Sequence, residues 1–287
     1  MSNVFIPADV PKAKEQEFVE NYTAITKGTE KLFLFAGDQK IEHLNENFHG
    51  KDLPPTVNFP EHLFQIAAAG DIGVFATQLG LVARYGKQFS DVNYLIKLNS
   101  KTYLTPAPHN DPISRQMWSV EQVARFKQES KLNIRGIGYT IYLGSEFEGI
   151  MLREAAQAIL TAHQHGMVAV IWMYPRGATI KNDQDPALIA GGAGVANALG
   201  ADFVKLKVPK AQNIGQALQI AVQAAGNTKI ICSGGKRVDP KNFLKATSDQ
   251  ITLGHTGGIA VGRNLYQYPL AEAKELALAI SKIVYGN

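Results

Sequence analysis

The sequence predicts a closed (β/α)8 barrel formed by a single domain, residues 1–287, with a helical extension at the N-terminus. Eight short apolar runs alternate with longer segments of helical period, at 32–35, 73–77, 94–98, 136–142, 168–174, 203–208, 230–232 and 258–261. Nearly continuous apolar runs of this length are typical of parallel strands buried on both faces. The chain has 287 residues, 45% of them hydrophobic, and barrels of this type reach that length as one domain.

The segments between the apolar runs carry helix start signals. These are a carboxylate before a proline in Asp185-Pro186 and Asp239-Pro240, and a capping box from Ser119 to Gln122. Such residues satisfy the free N–H groups of a first helical turn. A further helix over 12–27 is expected to pack outside the barrel or over its bottom.

The alternative arrangement for repeated strand–helix units is an open doubly wound sheet. A dinucleotide-binding sheet needs a Gly-x-Gly-x-x-Gly turn directly after the first strand. That turn reads Ala36-Gly37-Asp38-Gln39-Lys40 here, so the signature is absent. The glycine-rich segment 191–194 lies inside a helical pattern and indicates a close helix-packing contact instead.

Composition narrows the possible partners and the compartment. The net charge is +4, with basic residues spread along the chain, which favours anionic metabolites over nucleic acid. The one cysteine, Cys232, permits neither an intramolecular disulfide nor a cysteine-rich metal site. The histidines are scattered, so no metal centre is expected. No signal peptide or membrane span is recognisable, and a cytoplasmic, soluble protein is predicted.

The most informative residue is Lys205, which falls inside the sixth apolar run. A charged amine there is costly unless it is paired or becomes neutral through a lowered pKa. A neutral buried lysine is a nucleophile that forms Schiff bases with carbonyl compounds. Lys207 shares its strand face, and this second positive charge is expected to help Lys205 lose its proton. The alternative is a structural ion pair, with Asp38 as a candidate partner.

Other polar residues fall at the carboxyl ends of the strands, where barrels place their active sites. Trp172 and Tyr174 share one face of the fifth run, beside Lys205. The Tyr174 hydroxyl could relay protons, or both rings could fill the core. Asp38 could act as a base or pair with a lysine, and His43 could bind substrate or lie in a solvent-facing loop.

Glycine-rich turns follow the last two runs. They are Ser233-Gly234-Gly235 and Gly262-Arg263. Barrels commonly bind phosphate at these two positions, because glycine lets backbone N–H groups approach the anion and arginine adds a charged contact. The turns therefore predict a phosphate site, unless the glycines serve only to tighten the chain.

With these residues in place, the sequence resembles the archaeal-type class I fructose-bisphosphate aldolases over about 32–286. The short motifs that carry the resemblance are Lys97-Leu98-Asn99, 138–142 (Gly-Tyr-Thr-Ile-Tyr), 172–177 (Trp-Met-Tyr-Pro-Arg-Gly), Gly200-Ala201-Asp202 leading to Lys205, Ser233-Gly234-Gly235, and 258–264 (Gly-Ile-Ala-Val-Gly-Arg-Asn). Their order and spacing together make the resemblance specific.

The resemblance implies roles for individual residues. Lys205 would form the Schiff base, Tyr174 would transfer protons at the reacting carbon, and Asp38 would assist proton movement during Schiff-base formation. Trp172 and His43 would lie beside the bound sugar. The phosphate would be held by Ser233, Gly234, Gly235, Gly262 and Arg263. The implied substrate is a phosphorylated ketose, cleaved without metal or other cofactor by an enzyme expected to be a homo-oligomer.

One departure leaves the exact substrate open. The family usually has Asp-His-Gly after the first strand, where this chain has Asp38-Gln39-Lys40. Lys40 is therefore a candidate contact for a second phosphate. Fructose 1,6-bisphosphate is the predicted substrate. The alternatives are a lysine aldolase for another phosphorylated ketose and a non-catalytic sugar-phosphate-binding barrel.

Overall fold

The computed structural model describes residues 4–43, 47–104 and 111–286. Its strands are β1 Leu32–Ala36, β2 Val74–Thr77, β3 Tyr94–Lys97, β4 Asn99–Ser100, β5 Arg115–Gln116, β6 Ile134–Leu143, β7 Val168–Pro175, β8 Phe203–Leu206, β9 Lys229–Ser233 and β10 Gly258–Val261. The sheet closes in the order β1-β10-β9-β8-β7-β6-β3-β2, and every neighbouring pair in it is parallel. The predicted (β/α)8 barrel is confirmed.

The first α-helix precedes the first barrel strand, and the others lie between the strands or after the last one. They are α1 Glu15–Thr26, α2 Gln39–Glu42, α3 Pro60–Ala69, α4 Leu79–Tyr85, α5 Val120–Ser130, α6 Glu148–Gln164, α7 Pro186–Ala198, α8 Ile214–Ala225, α9 Pro240–Thr252, α10 Arg263–Tyr266 and α11 Leu270–Tyr285. Short 3-10 helices occur at Lys12–Lys14, Pro55–Asn58 and Gly86–Phe89. Of the helices in the described ranges, none is long and apolar enough to cross a lipid bilayer.

The predicted helix starts are present as hydrogen bonds. The Asp185 carboxylate accepts from two backbone N–H groups at the start of α7, and the Asp239 carboxylate caps α9 by accepting from the backbone N–H of Asn242. Ser119 and Gln122 form the predicted capping box of α5. Gly192 in α7 packs closely on the barrel, since a Cβ there would lie 3.1 Å from Met173 Cγ. The glycine-rich segment is thus a helix-packing contact, as predicted.

Two strand predictions needed correction. The third run, predicted as one strand over 94–98, ends at Lys97, and Asn99 begins the separate strand β4, which pairs antiparallel with β5. The sixth run, predicted over 203–208, ends at Leu206. Lys207 therefore follows the strand, although the alternation of side chains continues through it and keeps it on the cavity side.

The inside of the barrel is a packed apolar layer. Alternate strand residues form it: Leu32, Leu34, Ala36, Val74, Ala76, Leu95, Val168, Val170, Trp172, Phe203, Ile231 and Ala260. Helix α1 belongs to the same buried cluster through Phe18, Tyr22 and Ile25, and the rings of Tyr22 and Phe203 stack with centroids 5.3 Å apart. Of the two positions predicted for the N-terminal helix, the structure shows the one over the bottom of the barrel. The opposite end stays open.

Candidate active site

A cavity of about 860 Å³ opens at the carboxyl ends of the barrel strands. It is lined by side chains or backbone from β1, β6, β7, β8, β9 and β10, and from the turns that follow them. The residues predicted for the site all line it: Asp38, His43, Trp172, Tyr174, Lys205, Ser233, Gly234, Gly235, Gly262 and Arg263. The barrel brings these residues together from positions that are up to 225 residues apart in the chain, Asp38 and Arg263 being the extremes (263 minus 38).

Lys205 extends from β8 into this cavity and is 5% exposed. Burial lowers the pKa of its amine to about 8, with the positive charges of Lys97 and Arg263 adding to the shift and Asp38 and Glu42 opposing it. Within the described ranges its Nζ makes no hydrogen bond and has no carboxylate oxygen within 4 Å. The amine is therefore not committed to a structural ion pair, and close to pH 8 half of it is a neutral nucleophile.

The neighbouring charge that acts on Lys205 is not the one expected from the sequence. Lys207 faces the cavity, as the period of two predicts. However, its ammonium forms an ion pair with Asp183, which neutralises it. The buried Lys97 on β3 supplies a positive charge instead. The sequence could not show this, because the Asp183 contact depends on how the loop after β7 folds back.

Trp172 and Tyr174 both point inward from β7 and line the cavity. The indole ring of Trp172 lies 5.0 Å from Lys205 Nζ, measured to the ring centroid. It passes over Gly138 of β6, where a Cβ would come within 2.5 Å of its Cζ3. The tryptophan thus forms the wall beside the reactive amine, and Gly138 is the residue that leaves room for it.

Tyr174 is suited to hold and deliver a proton. Burial raises the pKa of its hydroxyl well above the ordinary value, and the negative charges of Asp38 and Glu42 raise it further. The phenol is therefore protonated at rest, in a cavity that also holds the amine of Lys205. An acid in this position can give a proton to a carbon attached to that amine.

Two carboxylates follow β1. Asp38 is 4% exposed, and its Oδ1 has no hydrogen-bond partner among the described residues. Glu42 accepts a hydrogen bond from Ser100 Oγ at 3.0 Å. Burial raises the pKa of Glu42, against the opposing effect of Lys97. The sequence analysis placed Glu42 near the site but gave it no role. Its contact with Ser100 of β4 joins two segments that are far apart in the chain, so it could not be read from the sequence.

His43 and Arg176 line the cavity, and both contact Tyr103. The ring of His43 stacks on Tyr103 with centroids 4.9 Å apart, and Arg176 donates from Nη1 to the Tyr103 hydroxyl at 2.7 Å. Lys101 Nζ lies 4.3 Å from the centroid of the same ring. Arg176 and Lys101 are thus two positive charges held against the same tyrosine ring.

In the first glycine turn, Gly235 has the geometry of an anion-binding turn, but the N–H of Gly234 is already used within the barrel. Gly235 has φ +68° and open space around it, as an anion-binding turn requires. The N–H of Gly234 is used within the barrel, where it donates to Ala260 O at 2.8 Å. Arg263 donates from Nε to Gly235 O at 3.1 Å, which leaves its two terminal NH₂ groups for a ligand.

Asn264 holds the first turn in shape, and the sequence analysis placed it at the end of the motif 258–264 without giving it a role. Its side chain is 1% exposed and donates to Gly234 O at 2.8 Å and to Lys236 O at 2.9 Å. It also accepts from the backbone N–H of Val238 at 2.9 Å. Its place directly after the glycine–arginine pair was the available signal.

The departure at 39–40 has two different consequences. Gln39 turns toward the phosphate turns: its Oε1 accepts from the Tyr266 hydroxyl at 2.8 Å and lies where a Cβ on Gly262 would come within 2.6 Å. Lys40 turns away. Its Nζ donates to Asn58 O at 2.6 Å and lies 4.2 Å from the centroid of the Phe48 ring. Lys40 does not line the cavity, so the structure gives no support to it as a phosphate contact.

The cavity has no evident metal centre. No group of three or more His, Cys, Asp or Glu side chains that could hold a metal ion occurs among residues 4–43, 47–104 and 111–286.

Comparison with known proteins finds aldolases. The family described as DeoC/LacD family aldolase matches residues 32–268. A fructose-bisphosphate aldolase/6-deoxy-5-ketofructose 1-phosphate synthase of Methanocaldococcus jannaschii is 49% identical over 281 residues, covering 98% of this chain and 90% of that protein. A class 1 fructose-bisphosphate aldolase of Halobacterium salinarum is 34% identical over 238 residues, covering 83% of this chain and 84% of that protein.

Solved structures agree with the sequence relatives. A fructose-bisphosphate aldolase from Slackia heliotrinireducens superimposes with a TM-score of 0.96 at 45% identity, covering 99% of this chain and 90% of that one. An archaeal fructose-1,6-bisphosphate aldolase, whose catalytic lysine is covalently bound to the carbinolamine intermediate of the substrate, superimposes with a TM-score of 0.79 at 30% identity. It covers 94% of this chain and 100% of that one.

Proposed function

This chain belongs to the DeoC/LacD aldolase family, and we propose that it reversibly cleaves fructose 1,6-bisphosphate to dihydroxyacetone phosphate and glyceraldehyde 3-phosphate. It is a carbon–carbon lyase of the class I type, which works through a covalent lysine Schiff base. The observation that carries the proposal is a buried and unpaired Lys205 whose pKa is lowered to about 8, in one cavity with glycine turns of phosphate-binding form.

In the proposed mechanism the neutral amine of Lys205 attacks the C2 ketone and forms a carbinolamine. Loss of water gives an iminium ion. We assign to Asp38 the transfer of protons in these steps, because its Oδ1 has no hydrogen-bond partner among the described residues and can accept a proton. The iminium then takes up the electron pair of the C3–C4 bond as the C4 hydroxyl loses its proton. Glyceraldehyde 3-phosphate leaves, and an enamine remains on Lys205.

The second half of the reaction restores the enzyme. Protonation of the enamine at C3 regenerates the iminium, and addition of water releases dihydroxyacetone phosphate. We assign proton transfer at the reacting carbons to Tyr174, because its raised pKa keeps a proton available in the cavity. Trp172 closes the wall beside the amine.

Binding of the two phosphates would fix the sugar. The C1 phosphate is assigned to the turns at Ser233–Gly235 and Gly262–Arg263, with His43 near the sugar. The C6 phosphate is assigned to Arg176, which lines the cavity, with Lys101 adding a second positive charge against the same tyrosine ring. Anchoring both ends holds the ketone near the amine, which converts binding energy into orientation.

A second candidate reaction has its own support, the name of the Methanocaldococcus jannaschii relative. Cleavage of 6-deoxy-5-ketofructose 1-phosphate between C3 and C4 gives dihydroxyacetone phosphate and 2-oxopropanal. The reverse condensation would use the same enamine on Lys205. This condensation differs from the synthesis of fructose 1,6-bisphosphate in its acceptor aldehyde. The aldehyde 2-oxopropanal carries no phosphate that Arg176 and Lys101 could bind.

A retro-aldol assay tests both. We expect fructose 1,6-bisphosphate to yield the two triose phosphates in equal amounts, with a rate that a metal chelator does not change. If the enzyme cleaves 6-deoxy-5-ketofructose 1-phosphate and not fructose 1,6-bisphosphate, the second candidate reaction is the correct one. A rate abolished by the chelator, or no cleavage of any phosphorylated ketose, would contradict the Schiff-base assignment.

A further inference from the structure

Lys97 is a buried lysine for which the proposed mechanism has no role. It lies on β3 with 0% exposure, and its Nζ donates to the backbone oxygen of Asn99 at 2.9 Å and to Asn99 Oδ1 at 3.0 Å. Among the described residues no carboxylate oxygen lies within 4 Å of it. A buried amine without an ion pair costs stability, and an apolar side chain of the same length would fill the space at lower cost.

The position of this amine is fixed through its partner. Asn99 Oδ1 also accepts from the backbone N–H of Thr140 at 2.7 Å. The Asn99 amide donates to Thr140 O at 2.8 Å and to Ser114 O at 2.9 Å. The amide of Asn99 is thus tied to β6 and to the segment before β5. Lys97 cannot swing toward the substrate without giving up both of its acceptors.

Trp172 connects Lys97 to the reactive lysine. Lys97 Nζ lies 5.3 Å from the centroid of the indole ring, and Lys205 Nζ lies 5.0 Å from the same centroid. Gly138 pairs with Lys97 in the sheet and makes room for this indole. The two amines therefore lie against one aromatic ring, and a positive charge on either disfavours a positive charge on the other.

We propose that Lys97 is a positioning residue that holds a fixed positive charge beside Trp172 and thereby keeps Lys205 neutral enough to attack the ketone. The proposal rests on the function proposed above, since it needs Lys205 as the Schiff-base lysine. It gives a reason for a buried lysine that would otherwise only weaken the fold.

Burial is the largest cause that lowers the pKa of Lys205, and the charges around the amine act on top of it. Asp38 and Glu42, after β1, favour the protonated form of Lys205 and so raise its pKa, while Arg263, after β10, lowers it together with Lys97. The remaining ionisable groups that line the cavity around Lys205 are His43, Tyr142, Tyr174, Arg176, Lys207 and Lys236. Lys207 is neutralised by Asp183. Burial lowers the pKa of Lys97 itself, but Glu42 and Asp38 oppose that shift and support its charge.

The lowered pKa of Lys205 strongly increases the fraction of neutral amine at pH 7. With a pKa of about 8 for Lys205, roughly a tenth of the amine is neutral at pH 7, whereas an ordinary lysine has roughly one neutral amine in 2,500. Each unit by which the pKa of Lys205 rises therefore removes about tenfold of the reactive form.

The test is Lys97→Met, which keeps the length of the side chain and removes its charge. Trapping of the Lys205 adduct by cyanoborohydride with dihydroxyacetone phosphate is followed from about pH 6 to pH 10. We expect the midpoint of the pH profile to rise by about one unit, so that the trapping rate falls about tenfold at pH 7 and recovers near pH 10. An unchanged midpoint, with equal loss at every pH, would show a merely structural role and overturn the proposal.

Two controls keep the outcomes distinct. Lys127→Met removes another partly buried lysine, paired with Glu17 outside the barrel, and should leave the midpoint in place. If wild-type Lys205 is not trapped at all, the proposed function fails. If it is trapped and Lys97→Met has the wild-type midpoint, only the role of Lys97 fails.

A second measurement applies if Lys97→Met does not fold. The lysine ε-carbons are followed by NMR in the double variant Lys27→Met/Lys40→Met, which removes the two lysines besides Lys97 and Lys205 whose pKa burial lowers. The Lys205 signal is identified by its loss on trapping. We expect it to titrate before every other lysine. A further lysine that loses its proton at lower pH would mean that Lys97 is neutral when Lys205 reacts, and would contradict the proposal.

Discussion

The two ends of the barrel treat their polar groups in opposite ways. At the bottom, His163 is 0% exposed and uses both ring nitrogens, with Asp9 Oδ1 at 2.8 Å and Asp202 Oδ2 at 3.2 Å. Asp202 also accepts from the backbone N–H of Ala169 at 2.7 Å. These contacts tie Asp9 of the N-terminal segment to α6 and to the residue before β8.

At the open end, some of the buried side chains that line the cavity have polar atoms without partners. Asp38 Oδ1 and Trp172 Nε1 make no hydrogen bond within the part of the chain that the structure describes, and neither does Lys205 Nζ. Unsatisfied buried groups cost free energy in the empty cavity. Under the proposed function, the unsatisfied groups at the open end are the ones that a substrate would contact.

The largest expected effect is at the open end. Lys205→Met removes the nucleophile and should lower kcat by on the order of 10⁴-fold or more. Because it also removes an unpaired buried amine, the thermal midpoint should not fall. Retro-aldol rates and thermal unfolding of the same preparation test this. A variant that keeps more than a few per cent of its activity would contradict the role of Lys205.

Tyr174→Phe probes proton transfer at the same end. Loss of the hydroxyl should lower kcat by about 10²- to 10⁴-fold, while the Schiff base still forms on Lys205. The rates of trapping and of complete turnover are to be compared in one preparation. Equal loss in both would assign Tyr174 to Schiff-base formation instead of to proton transfer at carbon.

The closed end should show its effect in stability and not in catalysis. Burial alone would lower the pKa of His163, but Asp202 and Asp9 more than offset it and raise the pKa to about 9. Since this lies above the unfolded value of about 6.5, the stabilisation is complete below pH 6.5 and is lost as the pH rises through 9. This contribution amounts to about 3 kcal/mol.

Urea unfolding of the wild type and of His163→Leu at pH 6.5 and pH 9.5 tests that contribution. The variant should be less stable by about 3 kcal/mol or more at the lower pH, with kcat unchanged for the folded protein. The difference between the two proteins should shrink at the higher pH. A constant difference would show that the ionisation of His163 does not hold the N-terminal segment.

The smallest expected effect concerns the phosphate turn. Asn264→Asp keeps the acceptor for the Val238 N–H but removes both donors to Gly234 O and Lys236 O. The turn loosens, and KM for a phosphorylated ketose should rise by about tenfold, the equivalent of one or two hydrogen bonds. The kcat/KM for dihydroxyacetone, which has no phosphate, should stay within about twofold. An equal loss for both substrates would refute the link to phosphate.

The sequence was sufficient for the barrel and for the inward-facing site residues, for a physical reason. Buried parallel strands read as apolar runs, so a lysine such as Lys205 inside one is conspicuous, and the period of two places Trp172 and Tyr174 on the same side. Positions after strands nine and ten of the described chain fall at the same end of any such barrel.

Contacts between separate strands and loops were beyond the reach of these patterns. The approach of Lys97 to Trp172 depends on the register of β3 against β6 and on the space left by Gly138. The pairing of Lys207 with Asp183 depends on a loop conformation. The β4–β5 pair is too short, at two residues each, to give a periodic signal.

Reductive trapping followed by peptide mass spectrometry tests the role of the open end most directly. The protein is treated with borohydride in the presence of fructose 1,6-bisphosphate or dihydroxyacetone phosphate. We expect one substrate-dependent adduct, on Lys205, and none on Lys97 or Lys207. An adduct on another lysine would move the nucleophile, and no adduct with either sugar would contradict the proposed substrate and mechanism together.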